Sequence, residues 1–254
     1  MATPAEPQFN LHQAMKIDLW EKPKASPTII EGFPGFGFVA TITMEYLMDH
    51  LKTRPIGRIW SPDLAPMALV HNKRVIQPLE IFYNDKYNII LLEAVAGVTG
   101  MEWEVADAIM FLYKELKAKE IVSIEGIGAA AERIDTFSYY FTNQDDKKKI
   151  LEKMGCKPLV EGIIFGVSGA LMLKIDKAVK GTFIFAETHS NLPDSRASAK
   201  IIEMLNKYLV LGVDYKPLLQ RASEFEEKLK GLVQKTQEAT MLKRTKEPDT
   251  EYIG

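Results

Sequence analysis

Short runs of β-branched and aliphatic residues, several of them ending in glycine, alternate along this chain with segments whose apolar positions recur every three or four residues. Runs of the first kind read as strands buried on both faces, and segments of the second kind as amphipathic helices. The first pair is a strand over 27–31 and a helix over 39–51, whose stripe is Val39, Ile42, Tyr46 and Leu47. Between them lies Gly32-Phe33-Pro34-Gly35-Phe36-Gly37-Phe38, a glycine loop that also carries three phenylalanines. A strand over 55–60 ends at Ser61-Pro62, and short strands follow over 67–70, 75–83 and 87–94. Tyr83-Asn84-Asp85-Lys86-Tyr87 supplies the Asn and Asp of a hairpin turn.

A helix over 101–117 sets Trp103, Ala106, Ile109, Met110, Tyr113 and Leu116 on one side. Strand 120–127 ends at Gly126-Ile127-Gly128, and an aromatic run (Phe137, Tyr139, Tyr140, Phe141) reads as core or subunit interface. Next come a helix over 145–154 closed by Gly155, a strand over 159–165, a helix over 170–178 and a strand over 182–187. The last core helix is capped by Asp194 or Ser195 and runs to about residue 208. Strand–glycine–helix junctions near 32, 97, 126 and 166 predict an α/β fold. Its mostly parallel sheet has helices on both faces and a hairpin insertion over 67–94, with the glycine junctions at the carboxyl ends of the strands. The organisation is an N-terminal arm (1–24), an α/β core domain (25–214), a C-terminal helix (215–240) and a flexible tail (241–254). The C-terminal helix carries a heptad-like stripe of Leu218, Ala222, Phe225, Leu229 and Leu232.

Composition narrows the function classes. With 46% hydrophobic residues in 254, the chain can build a sizeable core. A net charge of −2 gives no pull toward nucleic acid. Cys156 is the single cysteine, so no internal disulfide forms, which fits a reducing cytoplasm. Residues 1–26 lack the apolar core of a signal peptide, and no run of about 18 apolar residues is present to span a membrane.

Candidate chemistry is sparse. Gly35-Phe36-Gly37-Phe38-Val39-Ala40 fits the spacing of a dinucleotide loop. However, such a loop requires an acidic residue at the end of the next strand, and the nearest candidate, Asp63, follows Pro62 and lies further along. The phenylalanines would also crowd a pyrophosphate. The simpler reading is a tight turn with its aromatic rings in the core or at a subunit contact. His12, His50, His71 and His189 are not at metal-ligand spacing, so no metal site is read. Gly166-Val167-Ser168-Gly169-Ala170 is one residue short of a nucleophile elbow, and His189 with Glu187 lies after a later strand. The only acid between them is Asp176, inside a predicted helix, and Ser168 reads better as a helix N-cap. No catalytic residue and no cofactor are assigned. A competing reading makes the glycine-lined cleft at Gly35, 97–100, Gly126, Gly128 and Ser168 a small-molecule or hydrolase site. An enzyme would show a polar pocket of convergent titratable groups, whereas a chaperone would show broad apolar surfaces.

Ile30-Glu31-Gly32-Phe33-Pro34-Gly35-Phe36-Gly37 resembles the opening motif of the proteasome assembly chaperone family, in its archaeal branch. Ile124-Glu125-Gly126-Ile127-Gly128, Gly162 to Gly169 and Glu187-Thr188-His189 are similar to later motifs of that family, in the same order. The resemblance covers about residues 25–235. It implies a three-layer, phosphorylase-like α/β architecture and a non-enzymatic cytoplasmic protein. Such a protein assembles with itself or with another family member; charge and hydropathy add neither nucleic acid nor membrane as a partner. It also implies docking on proteasome α subunits through a C-terminal hydrophobic–Tyr–any motif, which points to Tyr252, Ile253 and Gly254. Phe225, Leu229 and Leu232 would serve as helix contacts, and Phe33, Gly35, Phe36, Gly37, Gly126, Gly128 and Ser168 as an interface or cleft loop. The family motif has tyrosine next to last; here Tyr252 follows Glu251 and precedes Ile253.

Overall fold

The computed structural model describes residues 9–11, 15–71, 73–95, 97–128, 136–188, 192–220 and 231. The strands are β1 (Phe9–Leu11), β2 (Met15–Leu19), β3 (Thr28–Gly32), β4 (Arg54–Trp60), β5 (Leu69–His71), β6 (Arg74–Ile76), β7 (Leu79–Asn84), β8 (Ile89–Ala94), β9 (Glu120–Gly128), β10 (Ser138–Thr142), β11 (Lys157–Pro158) and β12 (Gly181–Thr188). The helices are α1 (Val39–Leu51), α2 (Glu102–Glu115), α3 (Asp145–Lys153), α4 (Gly166–Lys174), α5 (Ser195–Leu209) and α6 (Lys216–Gln220).

Ten strands form one sheet in the order β1-β2-β4-β7-β8-β3-β9-β12-β10-β11. Its centre, β8-β3-β9-β12, is parallel throughout, with Ile29 opposite both Ile90 and Ile121, and Ile184 opposite Ile124. Antiparallel strands flank it on both sides, so β1, β4, β8, β3, β9 and β12 run one way and β2, β7, β10 and β11 the other. Residues 1–24 therefore contribute β1 and β2 to the sheet. β5 and β6 form a small separate hairpin.

Alternation along the central strands sorts their side chains into two cores. Ile29, Leu92, Ile121, Phe183 and Phe185 face α2 and α4, meeting Ala106, Ile109 and Leu171. Ile30, Leu91, Val122 and Ile184 face α1 and α5, meeting Ile42, Leu47, Ile201 and Leu205. Each such aliphatic side chain withdrawn from water contributes about 1.5–3 kcal/mol, which is why the sheet carries a helix layer on each face. The stripe Val39, Ile42, Tyr46 and Leu47 is buried as its spacing predicts. Asp194 caps α5, accepting from the backbone N–H groups of Arg196 (3.0 Å) and Ala197 (2.9 Å). In the turn between β7 and β8, Asn84 Oδ1 accepts from the Tyr87 N–H at 2.9 Å.

Four expectations need correction. The strand over 159–165 is absent: β11 covers two residues, and an exposed loop leads from it to α4. An apolar run cannot be told from a buried strand by pattern alone. The helix after it spans 166–174, four residues early, because Gly166 takes a left-handed φ of 69° and starts the turn there. The strand over 75–83 is cut at Pro78, leaving β6 and β7 in different sheets. Trp103 is half-exposed, with Lys174 Nζ 5.2 Å from its ring, whereas Ala106 and Ile109 are buried. No helix among the described residues is long and apolar enough to cross a membrane.

Candidate functional site

Three parallel strands bring their carboxyl ends together at the glycine loop. β3 ends at Gly32, and the chain turns through a 3-10 turn at Phe36–Phe38 into α1. Gly37 and Phe38 are both left-handed (φ 63° and 49°), and the Phe38 N–H donates to the Gly35 carbonyl at 3.1 Å. A left-handed φ costs little at glycine and more at phenylalanine, so the surroundings must hold the loop in this shape. Two clamps do so. On β9, a Cβ at Gly126 would sit 2.2 Å from the Phe36 carbonyl oxygen, so only glycine lets the loop lie on the strand. At the end of β12, Thr188 Oγ1 occupies the space beside Gly37, and the Asp194 N–H donates to the Gly37 carbonyl at 2.9 Å. Thr188 in turn donates to Asp194 Oδ2 at 2.8 Å, tying the loop to the cap of α5. The close approaches that the glycines permit are therefore to the protein's own atoms. Phe33 is buried, Phe36 is partly exposed with its ring beside Gly128, and Phe38 packs on the α1–α5 core.

Beneath this loop lies a buried acid cluster. Glu31 on β3 stands opposite Ser123 on β9, and Glu125 follows two residues on, on the same face of the sheet. Ser168, on the first turn of α4, closes the group from above. Ser123 Oγ donates to Ser168 Oγ at 2.9 Å, and Ser168 Oγ donates to Glu31 Oε1 at 3.4 Å. Ser168 also acts on the Glu125 carboxyl, opposing the upward pull of burial. Among the described residues, the second oxygens of Glu31 and Glu125 have no hydrogen-bond partner. Burial drives the Glu31 carboxyl up to about 8; the Glu125 charge adds to this, and the hydrogen bonds from Ser123 and Ser168 oppose it. Burial raises Glu125 to about 7. At neutral pH the fold therefore holds Glu31 as the neutral acid. Glu187, on the same face of β12, takes the Tyr139 hydroxyl at 2.7 Å.

The expected loop residues Phe33, Gly35, Phe36, Gly37, Gly126 and Gly128 do come together here, with Gly35 lying over Glu125 Oε1. Ser168 joins them in a different role from the expected N-cap. Phe165 holds the cap position, and Ser168 is buried on the inner side of α4 with its hydroxyl spent on Ser123 and Glu31. Asp176 caps a turn at Ala178 and Val179. Gly100 belongs to the start of α2, where its N–H donates to Glu102 Oε2 at 2.9 Å. His189, Phe225, Leu229, Leu232, Tyr252, Ile253 and Gly254 lie outside the described residues. No group of histidine, cysteine and carboxylate side chains among the described residues is arranged to hold a metal. Glu31, Ser123 and Glu125 are the residues that sequence reasoning missed as a cluster. Their signal was the triplet Ile-Glu-Gly, written twice, at 30–32 and 124–126.

Comparison with known proteins follows the same elements. The solved structure of Pyrococcus furiosus PbaA, described as an archaeal homolog of proteasome-assembly chaperone, is similar at 30% identity with a TM-score of 0.80. The match covers 88% of this chain and 99% of PbaA. Pyrococcus furiosus PbaB, described as an archaeal proteasome activator, shares the fold with a TM-score of 0.71 at 22% identity, over 87% of this chain and 99% of its own. The uncharacterized Methanocaldococcus jannaschii protein MJ0106 is 25% identical over 237 residues, 90% of this chain and 93% of that protein. The model of the PAC2 family matches residues 29–233, from the strand before the glycine loop past the last described helix, and the chain belongs to that family.

Proposed function

We propose that this protein is a non-enzymatic, proteasome-assembly-chaperone-like factor of the cytoplasm that works by binding other proteins. It forms a homo-oligomer and engages 20S proteasome α subunits. The α/β core over 25–214 is the scaffold, the helix over 215–240 offers Phe225, Leu229 and Leu232 as contacts, and the tail over 241–254 carries Tyr252, Ile253 and Gly254 to the α subunits. The observation that carries this reading is the likeness to PbaA, at 30% identity along 99% of that chain. The chemistry of the loop supports it too. The serine that a hydrolase would need as a nucleophile is buried among carboxyls, and the glycines are filled by the protein's own backbone and side chains. Phe36 remains partly exposed at the lip of the loop, available to a partner.

The test is mass-resolved size-exclusion chromatography of the full chain, alone and mixed with proteasome α subunits. Co-elution that is lost in Tyr252→Ala is the expected outcome. A wild-type chain that never co-elutes with α subunits overturns the proteasome assignment.

A further inference from the structure

α5 ends in a way its sequence does not favour. Val210 takes the left-handed position after the last turn (φ 55°), with its N–H donating to the Asn206 carbonyl. Glycine or asparagine is the usual residue there, because a branched Cβ crowds the backbone in that conformation. Among the described residues Val210 is the one β-branched side chain held left-handed. It is also 78% exposed, so no packing of its own offsets the strain. Two residues on, Gly212 adopts the same conformation (φ 66°) without that cost. An outlier of this kind persists only where its surroundings impose it.

Those surroundings are a clamp on residues 211–214. Tyr87, in the turn between β7 and β8, donates its hydroxyl to the Leu211 carbonyl. Tyr46, on α1, donates to the Asp214 carbonyl at 2.6 Å. Asn206 Oδ1 takes the Val213 N–H at 3.0 Å, and Leu211 and Val213 are buried in the α1–α5 core. α6 starts directly after the clamp, with Asp214 Oδ1 accepting from the Lys216 N–H at 3.0 Å, and it rests against α5 with Leu218 buried. The connector is therefore strained at one end and tied down along its length by side chains of two other elements. Strain stored in the closed form lowers the cost of opening, because Val210 relaxes to an ordinary conformation once the hydroxyls let go. Leu218 is also the first position of the stripe that the sequence continues through Ala222, Phe225, Leu229 and Leu232. While it is buried on the body, a partner cannot reach that end of the stripe.

We propose that residues 210–215 are a hinge, strained at Val210 and held shut by the hydroxyls of Tyr46 and Tyr87. Its opening swings α6 and the chain beyond it off the body to meet a protein partner. The identity of that partner rests on the reading above, in which residues beyond 214 engage proteasome α subunits; the hinge itself does not.

Hydrogen–deuterium exchange of the full chain tests the hinge with no partner present. In the wild type a peptide covering 211–220 exchanges well ahead of α5 and β9, as a unit that opens by itself does. Val210→Asn relieves the strain at an exposed position and slows that exchange about 5-fold. Tyr46→Phe combined with Tyr87→Phe keeps both rings, removes both hydroxyls and speeds it about 20-fold. A 211–220 peptide no faster than β9, or a rate that ignores either variant, overturns the hinge. Binding to α subunits shifts by the same factors, tighter without the hydroxyls and weaker in Val210→Asn, because apparent affinity scales with the open fraction. Variants that exchange as expected yet bind α subunits equally well overturn the part the hinge plays in docking. A wild-type chain that never binds α subunits overturns the proteasome reading, and the exchange rates still decide the hinge.

Discussion

Glu31 sits at the end of a central strand, and the groups acting on its carboxyl among the described residues are Ser123, Ser168 and the charge of Glu125, none of them a cation. Its carboxyl is favoured as the neutral form in the folded chain, while in the unfolded chain it ionises at an ordinary value near 4.5. The folded state therefore binds the extra proton between these two limits. Linkage then makes stability greatest below about pH 4.5 for this group and lowers it as pH rises toward 8. Glu125 adds a loss of the same sign up to about 7. Replacing Glu31 with glutamine keeps the shape and removes the charge that must be desolvated. Glu31→Gln is expected to flatten the fall in stability between pH 5 and pH 8.5 and to be more stable than wild type, by on the order of a few kcal/mol, at the upper end. Urea unfolding at both pH values measures it, and parallel wild-type and variant curves would sink the idea. At this scale the sequence was only partly legible. The Ile-Glu-Gly triplets announce acids at strand ends, but neither composition nor period tells that Ser168, more than forty residues beyond Ser123, will close over both of them. That pairing arises only when α4 is laid on the sheet.

The glycine loop, β9 and the cap of α5 form one mechanical unit, and its narrowest point is Gly126. A methyl group there would press on the Phe36 carbonyl at 2.2 Å and on Val39 at 2.8 Å, and a strand and a helix start have little room to move apart. Gly126→Ala is expected to cost about 3 kcal/mol, a thermal midpoint lower by roughly 10 °C. Gly97→Ala, where the nearest atom outside its neighbours is Thr99 Oγ1 at 3.8 Å, serves as the control with little change. Equal midpoints for the two variants in a melting scan would refute the clamp. Elements of this kind were well legible where burial enforces the pattern. β3 read as a β-branched run and β8 as a nearly continuous apolar one, α1 showed its period, and α5 showed its cap at Asp194 or Ser195. Legibility failed where apolar residues are not buried. Ile163-Ile164-Phe165 has the composition of a core strand yet lies largely at the surface, because β11 offers only two residues of pairing and α4 begins at once. A pattern argument assumes that apolar residues go inside, so apolar residues left at the surface are what it misreads.

The molecule as a whole is a sheet closed on both faces by helices, and its C-terminal boundary is fixed by how far burial extends. Tyr46 donates its hydroxyl to the Asp214 carbonyl at 2.6 Å, Tyr87 donates to the Leu211 carbonyl, and Leu218 on α6 is 2% exposed against the α1–α5 core. The chain is thus anchored to the body through residue 218, and a truncation that removes Leu218 forfeits a buried leucine along with its packing, about 2–5 kcal/mol. Residues 241–254 have no apolar period, so nothing in their sequence calls for a place in either core. Two truncations separate these contributions. A chain ending at residue 240 is expected to keep the wild-type melting midpoint and oligomer mass while losing co-elution with proteasome α subunits. A chain ending at residue 214 is expected to melt earlier as well. If the chain ending at 240 melts early or falls apart, the tail is part of the scaffold; if it still binds α subunits, the contact lies on the body, and Phe36 at the lip of the glycine loop becomes the residue to substitute next.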